Sequence, residues 1–135
     1  MIKRKRRIAV VEDDPFLQRI LKILLRGRGF EVSFAHNAAG ALSMLRNIVP
    51  DLVLMDVCVP GANGFQIVER MRQDPALRRV AVIFLTGSDV VGGRARASRQ
   101  GACEFIEKPY EPRYLLAAID RAMARKSGAT SHALI

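Results

Sequence analysis

Little in this sequence can build a disulfide, a zinc site or a membrane span. Its 135 residues include only two cysteines, Cys58 and Cys103. That count excludes a disulfide framework and fits a reducing cytoplasm. The two histidines, His36 and His132, stand far apart. Neither cysteine has a ligand neighbour at zinc spacing, so a metal held by thiolate or imidazole is not expected. No apolar run approaches the roughly 20 residues of a membrane span. The apolar run after the basic start, Met1–Arg7, stops at Glu12-Asp13-Asp14, which is too soon for a secretory leader. A cytoplasmic protein without membrane insertion is expected. Acidic residues are also scarce, 13 against 22 basic, for a formal charge of +9. Such an excess can mark a nucleic-acid or anionic-surface partner. However, no aromatics interleave with the basic residues to stack bases, and no helix-turn-helix pattern stands out. Nucleic acid is therefore not an expected partner. A solvated face and a flexible basic arm over residues 1–7 account for the charge.

What is present is an alternation. The length suits one domain with one sizeable core. Ile8–Val11 is a compact β-branched strand. Asp14-Pro15 then starts a helix, an N-cap oxygen followed by a proline at the first turn. Phe16, Leu17, Ile20, Leu21, Ile23, Leu24 and Leu25 recur at helical spacing, and Gly27 and Gly29 end the run. Phe30–Ala35 alternates, as an edge strand with one wetter face does. Asn37 caps a second helix with Ala38, Ala41, Leu42 and Leu45 inward. Asp51–Asp56 is a third strand, apolar enough to be covered on both faces. A third helix runs from about Gly64 to Gln73, and Val80–Leu85 is the fourth strand. The fourth helix, around Val90–Gln100, carries Gly92-Gly93 near its start, each costing about 1 kcal/mol relative to alanine. It has little apolar face and is expected to be short or frayed. Cys103–Glu107 is the fifth strand. The last helix spans Pro112–Lys126, with Tyr114, Leu115, Ala118, Ile119 and Ala122 inward.

Five strand–helix repeats with short connections predict an α/β fold: a three-layer, doubly wound (βα)5 parallel sheet of flavodoxin-like order 2-1-3-4-5. In such sheets ligands sit beyond the carboxyl ends of the strands. Strand one ends in Glu12, Asp13 and Asp14, strand three in Asp56, strand four in Thr86 with Ser88 beyond it, and strand five in Lys108. Each has a plain explanation alone: Asp14 caps a helix, Thr86 suits a strand end, Lys108 is simply exposed. Their joint placement on one rim argues for a site. Glu12, Asp13 and Asp56 repel one another unless a cation sits among them. A hard divalent ion that keeps several waters, such as Mg2+, suits so few oxygen ligands. With an ammonium and a hydroxyl alongside, this is the charge compensation that phosphoryl transfer needs. Asp56 is then a carboxylate nucleophile toward a phosphoryl donor.

The segments Val10-Val11-Glu12-Asp13-Asp14-Pro15, Asp51-Leu52-Val53-Leu54-Met55-Asp56 with Pro60 and Gly64, Leu85-Thr86-Gly87 and Phe105-Ile106-Glu107-Lys108-Pro109 resemble the receiver domain of two-component response regulators. The resemblance covers about residues 6 to 126. It implies that Glu12 and Asp13 hold Mg2+ together with Asp56 and the backbone carbonyl of Cys58, and that Asp56 is the phosphoacceptor. It further implies that Thr86 is the switch hydroxyl, Phe105 an aromatic rotamer switch, and Lys108 the lysine that meets the phosphoryl group. It also implies a cis Lys108-Pro109 bond. Departures are Glu12 in place of the commoner aspartate, Gly87 where alanine is usual, and the paired glycines 92 and 93 in a helix that such proteins use for output.

The resemblance thus implies a phosphoacceptor with self-catalysed chemistry rather than an enzyme. Its expected partners are a histidine kinase or histidine phosphotransfer protein, a downstream protein target, and a second copy through the face of helix four, strand five and helix five. An aspartate-nucleophile phosphatase of the haloacid dehalogenase type would need a second aspartate two residues after the first, where Cys58 stands. Three segments are expected: the arm 1–7, the domain 8–126 and a flexible tail 127–135. That tail is too short for a DNA-binding domain, so a stand-alone receiver is one expectation and a piece of a larger regulator the other. An unphosphorylated docking module is a third.

Overall fold

A computed structural model describes residues 4–87 and 91–128. Ser88, expected at the rim, and the start of the expected fourth helix at Val90 lie outside the described residues, as do residues 1–3 and 129–135. In chain order the elements are β1 (Arg7–Val11), α1 (Pro15–Gly27), β2 (Glu31–Ala35), α2 (Ala38–Ile48) and β3 (Leu52–Asp56). Two short strands follow, β4 (Cys58–Val59) and β5 (Ala62–Asn63), then α3 (Gly64–Gln73), β6 (Ala81–Thr86), α4 (Gly93–Arg99), β7 (Glu104–Glu107) and α5 (Pro112–Gly128). Five strands form one parallel sheet in the order β2-β1-β3-β6-β7. This is the expected 2-1-3-4-5 order once the small β4–β5 ribbon is set aside.

Period-two alternation along the strands divides the core into two layers. Ala9, Val11, Val53, Met55, Val82 and Phe84 face α2, α3 and α4. Ile8, Val10, Leu52, Leu54, Ile83 and Leu85 face α1 and α5. Each fully buried Val, Leu, Ile or Phe is worth about 1.5–3 kcal/mol. All five residues of β3 are buried, including Asp56. Its position between β1 and β6 leaves no wet face. The edge strand β2 is mixed in burial, as its alternation predicts.

The helices buried less than their apolar patterns promised. In α1 only Leu21 and Leu25 are buried, while Phe16 and Ile23 are 68% and 69% exposed. Seven apolar residues in thirteen span more than the one stripe a helix can press on a sheet. In α5 Leu115, Ala118, Ile119 and Ala122 are buried as expected, but Tyr114 is 51% exposed and Leu116 and Met123 take inward positions. Helix α4 is one short stretch of seven residues, begun by a left-handed Gly92 with no side-chain cap. Its buried residues are only Gly93 and Ala97. Cationic contacts compensate: Arg96 lies over the Phe65 ring at 4.7 Å and Arg94 over Phe105 at 5.4 Å. The Gln100 side-chain amide also donates to the Phe65 carbonyl at 2.9 Å.

The ribbon after β3 was expected only as loop. Gly61, at φ 95°, makes its turn, and Asn63 then caps α3 in a capping box with Gln66. That signal, Asn63-Gly64-Phe65-Gln66, is present in the sequence.

Candidate functional site

The parallel sheet brings the ends of β1, β3, β6 and β7 to one rim. Backbone register sets the order: Val11 pairs with Met55, Asp56 with Leu85, and Thr86 with Glu107. Glu12 follows β1, its N–H still donating to the Ala35 carbonyl of β2 at 3.0 Å. Glu12 is only 1% exposed and Asp56 only 5%, whereas Asp13 is exposed. Carboxylate oxygens of Glu12, Asp13 and Asp56 lie within 4.8 Å of one another.

Lys108 closes this cluster from the loop after β7. Its Nζ donates to Glu12 Oε1 at 2.7 Å and to Asp56 Oδ2 at 3.1 Å. The other oxygen of each acid is also occupied. Glu12 Oε2 accepts from the Asp14 N–H at 3.1 Å, and Asp56 Oδ1 from the Cys58 N–H at 3.0 Å. Asp14 in turn caps α1, its Oδ1 accepting from the Phe16 N–H at 2.9 Å. The Lys108-Pro109 bond is cis, and the Lys108 N–H donates to the Thr86 carbonyl at 2.6 Å.

Two buried carboxylates share one ammonium, and the charges respond. Burial pushes the Glu12 carboxyl up to about 7, and the nearby Asp56 charge adds to this. The Lys108 hydrogen bond and the Asp14 N–H act the other way and do not prevail. For Lys108, burial disfavours the charged form, but the hydrogen bond to Glu12 and the charges of both acids outweigh it. Its pKa rises.

Thr86 is buried at the end of β6, 1% exposed. Cys58 is exposed and contributes its backbone to the pocket through the N–H on Asp56. Phe105 lies in β7, in register with Phe84 of β6. It is half-buried among aromatic rings, with its centroid 6.5 Å from Phe65 and 6.4 Å from Phe84. The Arg94 guanidinium lies over it and also donates to its carbonyl at 3.1 Å.

Three contributors were not singled out from the sequence for what they do here. The Gln18 amide donates to the Glu12 carbonyl, fixing the turn after β1. No local signal marks that contact. Gly64 lies against the carbonyl of Asp56, where a Cβ would stand 2.4 Å from that oxygen. A glycine opening a helix after Asn63 could have indicated such close approach. Tyr110 follows the cis bond and has a buried hydroxyl without a hydrogen-bond partner among the described residues; burial raises its pKa.

The donor set is all oxygen, with no thiolate or imidazole among the clustered side chains. Such a set fits a hard divalent cation and not a zinc or iron centre.

The family model of the response regulator receiver domain matches residues 8–120. The DNA-binding response regulator MtrA of Mycolicibacterium smegmatis is 35% identical over 91% of this chain, and the match covers 52% of MtrA. The response regulator PleD of Caulobacter vibrioides is 34% identical over 88% of this chain and 26% of its own length. The chain thus spans about half of the one relative and a quarter of the other. Among solved structures, the CheY-like receiver domain protein from Methanospirillum hungatei superposes with TM-score 0.85 at 27% identity, covering 92% of this chain and 98% of that one. A putative response regulator from Chloroflexus aurantiacus superposes with TM-score 0.83 at 29% identity, covering 90% of this chain and all of that one. With its sheet order, its rim of acids and its lysine in place, this chain belongs to the response regulator receiver domain family.

Proposed function

We propose that Asp56 accepts a phosphoryl group from the phosphohistidine of a histidine kinase or phosphotransfer protein, and that the protein then switches what it binds. The observation that carries this reading is the contact of one ammonium, Lys108 Nζ, with both buried acids. A carboxylate oxygen of Asp56 attacks the phosphorus. The O–P bond forms as the N–P bond breaks, and the donor imidazole nitrogen leaves with the electron pair. Lys108 then meets the new phosphoryl oxygens with its positive charge. The Cys58 N–H, already on Asp56 Oδ1, holds the nucleophile's orientation. Glu12, Asp13, Asp56 and the Cys58 backbone carbonyl would hold Mg2+, which when bound supplies further neutralisation of phosphoryl oxygens. Attack of water on the phosphorus later breaks the O–P bond, releases inorganic phosphate and restores Asp56. In this reading the protein is a self-catalysing phosphoacceptor of the cytoplasm and turns over no other substrate.

The switch proceeds through Thr86 and Phe105. The Thr86 hydroxyl turns to a phosphoryl oxygen, and Phe105 moves further inward. Because Arg94 rides on the Phe105 ring and carbonyl, that movement changes the face made by α4, β7 and α5. A protein target or a second copy of the chain reads the two populations of that face.

The test is incubation with acetyl phosphate and Mg2+, followed by intact-mass analysis. Wild type is expected to gain one phosphoryl group, lost again in base, while Asp56→Asn gains none. An unlabelled wild type, or full labelling of the Asn variant, would sink the proposal. Wild type that labels normally but leaves the α4–β7–α5 amide resonances unmoved would remove only the switch.

A further inference from the structure

The sheet edge opposite the acidic rim holds a second charged feature. Between the α3–β6 turn, the start of β7 and the end of α5 lies a cavity of about 340 Å³. Arg72, Arg78, Arg79 and Arg125 line it, with Gly101 and Cys103, and none of its lining residues is acidic. Arg72 is held rigidly there. Its Nε donates to the Gln100 carbonyl at 2.8 Å, and its Nη1 to the carbonyls of Arg78 at 3.0 Å and Val80 at 2.7 Å. Its Nη2 has no acceptor among the described residues. That nitrogen stands beside Gly101, 3.9 Å from where a Cβ would be.

The nearby acids are already engaged. Asp74 pairs with Arg46 at 3.1 Å and Glu104 with Arg121 at 3.4 Å. Arg78, Arg79 and Arg125 form no ion pair among the described residues. Arginine in the last turn of a helix is ordinary, because it complements the carbonyl end of the dipole, and Arg72 and Arg125 have that explanation. Arg78 and Arg79 belong to a turn and do not. Burial lowers the pKa of Arg72, so an anion beside it would restore what burial removes.

We infer that this cavity is a binding site for a phosphate-bearing ligand, held by Arg72 Nη2 and the exposed guanidinium groups of Arg78, Arg79 and Arg125. Guanidinium forks match the oxygens of a multiply charged tetrahedral group. The volume exceeds a bare phosphate and admits an organic part attached to it. The site is separate from Asp56. Strand β6 starts with Ala81 at the cavity and ends with Thr86 at the acidic rim, a span of about 17 Å at strand rise. The ligand is therefore not the phosphoryl donor, and this inference stands apart from the proposed function.

Sodium pyrophosphate at constant ionic strength is the first probe, followed by amide NMR. Saturable shifts are expected at Arg72, Gly101 and Cys103 and not at Met55 or Asp56. Cys103 lines the cavity and Cys58 lies at the opposite rim, so bound pyrophosphate should slow alkylation of Cys103 and leave Cys58 unchanged. Arg79→Gln with Arg125→Gln, both exposed, should weaken binding about tenfold or more while acetyl phosphate still labels Asp56. Absence of saturable shifts, an equal response to sodium chloride, or unchanged affinity in the double variant would overturn the inference. ADP and phosphatidic acid vesicles then identify the source: competition by ADP assigns a soluble phosphate ester, and capture by the vesicles alone assigns a lipid headgroup.

Discussion

Replacing Glu12 by glutamine should change how stability depends on pH in a direction the pocket dictates. The Glu12 carboxyl is pushed from an ordinary 4.5 up to about 7, chiefly by burial and then by the Asp56 charge. The folded state therefore binds a proton that the unfolded state releases between those values. Its contribution is fully present below pH 4.5 and is lost as pH rises through about 7. Each pH unit between the two values corresponds to about 1.4 kcal/mol, so the full span gives a ceiling of about 3.4 kcal/mol. Water reaches the pocket on the side of exposed Asp13, and screening there brings the expectation to about 2 kcal/mol. Glutamine keeps an acceptor for Lys108 but loses the one that takes the Asp14 N–H, a loss that does not depend on pH. The informative quantity is therefore a difference of differences. Urea unfolding without divalent ions at pH 5 and pH 8 should show wild type losing about 2 kcal/mol more than Glu12→Gln across that interval. Saturating Mg2+ at pH 8 should stabilise wild type more than the variant, since the ion neutralises the carboxylate that glutamine lacks. Parallel pH profiles, or a wild type that gains stability relative to the variant toward pH 8, would show that Glu12 is not a desolvated acid.

Two further substitutions test how the site is supported. Gly64→Ala would place a Cβ 2.4 Å from the Asp56 carbonyl oxygen and 2.9 Å from Met55 Cγ. Backbone must move, so a loss of about 3 kcal/mol in urea unfolding is expected, together with slower labelling of Asp56; wild-type stability would refute the close approach. Arg96→Ala removes the guanidinium over Phe65, worth about 0.5–1 kcal/mol at a site of this exposure. Faster amide hydrogen exchange confined to α4 is the expected readout, and unchanged exchange would show that the short helix is held by other contacts.

Much of the fold was legible because strand and helix periods are written locally. Val10-Val11, the run Leu52–Met55 and Val82–Leu85 needed no tertiary information to be read as covered strands, and the parallel α/β order follows from chirality and short connections. The rim was legible for the same reason: a residue that ends a parallel strand has one edge to stand on. The helix faces were less so. Phe16, Ile23 and Tyr114 fit helical stripes as well as Leu21, Leu25 and Leu115 do, and only the sheet's shape decided which of them it covers.

By itself the sequence determined the repeat, the caps at Asp14 and Asn37, and the delivery of Glu12, Asp56, Thr86 and Lys108 to strand ends, since these follow from bonds and spacings within a few residues. Tertiary structure alone decided that Lys108 reaches two acids at once, although Glu12 lies 96 residues away along the chain and Asp56 52. It also decided that Glu12 is buried enough to hold a proton near neutrality, and that four arginines from α3, the turn after it and α5 line one cavity without a carboxylate. Charge and burial act through space over a few ångströms, and distance along the chain carries no record of which side chains will be that close.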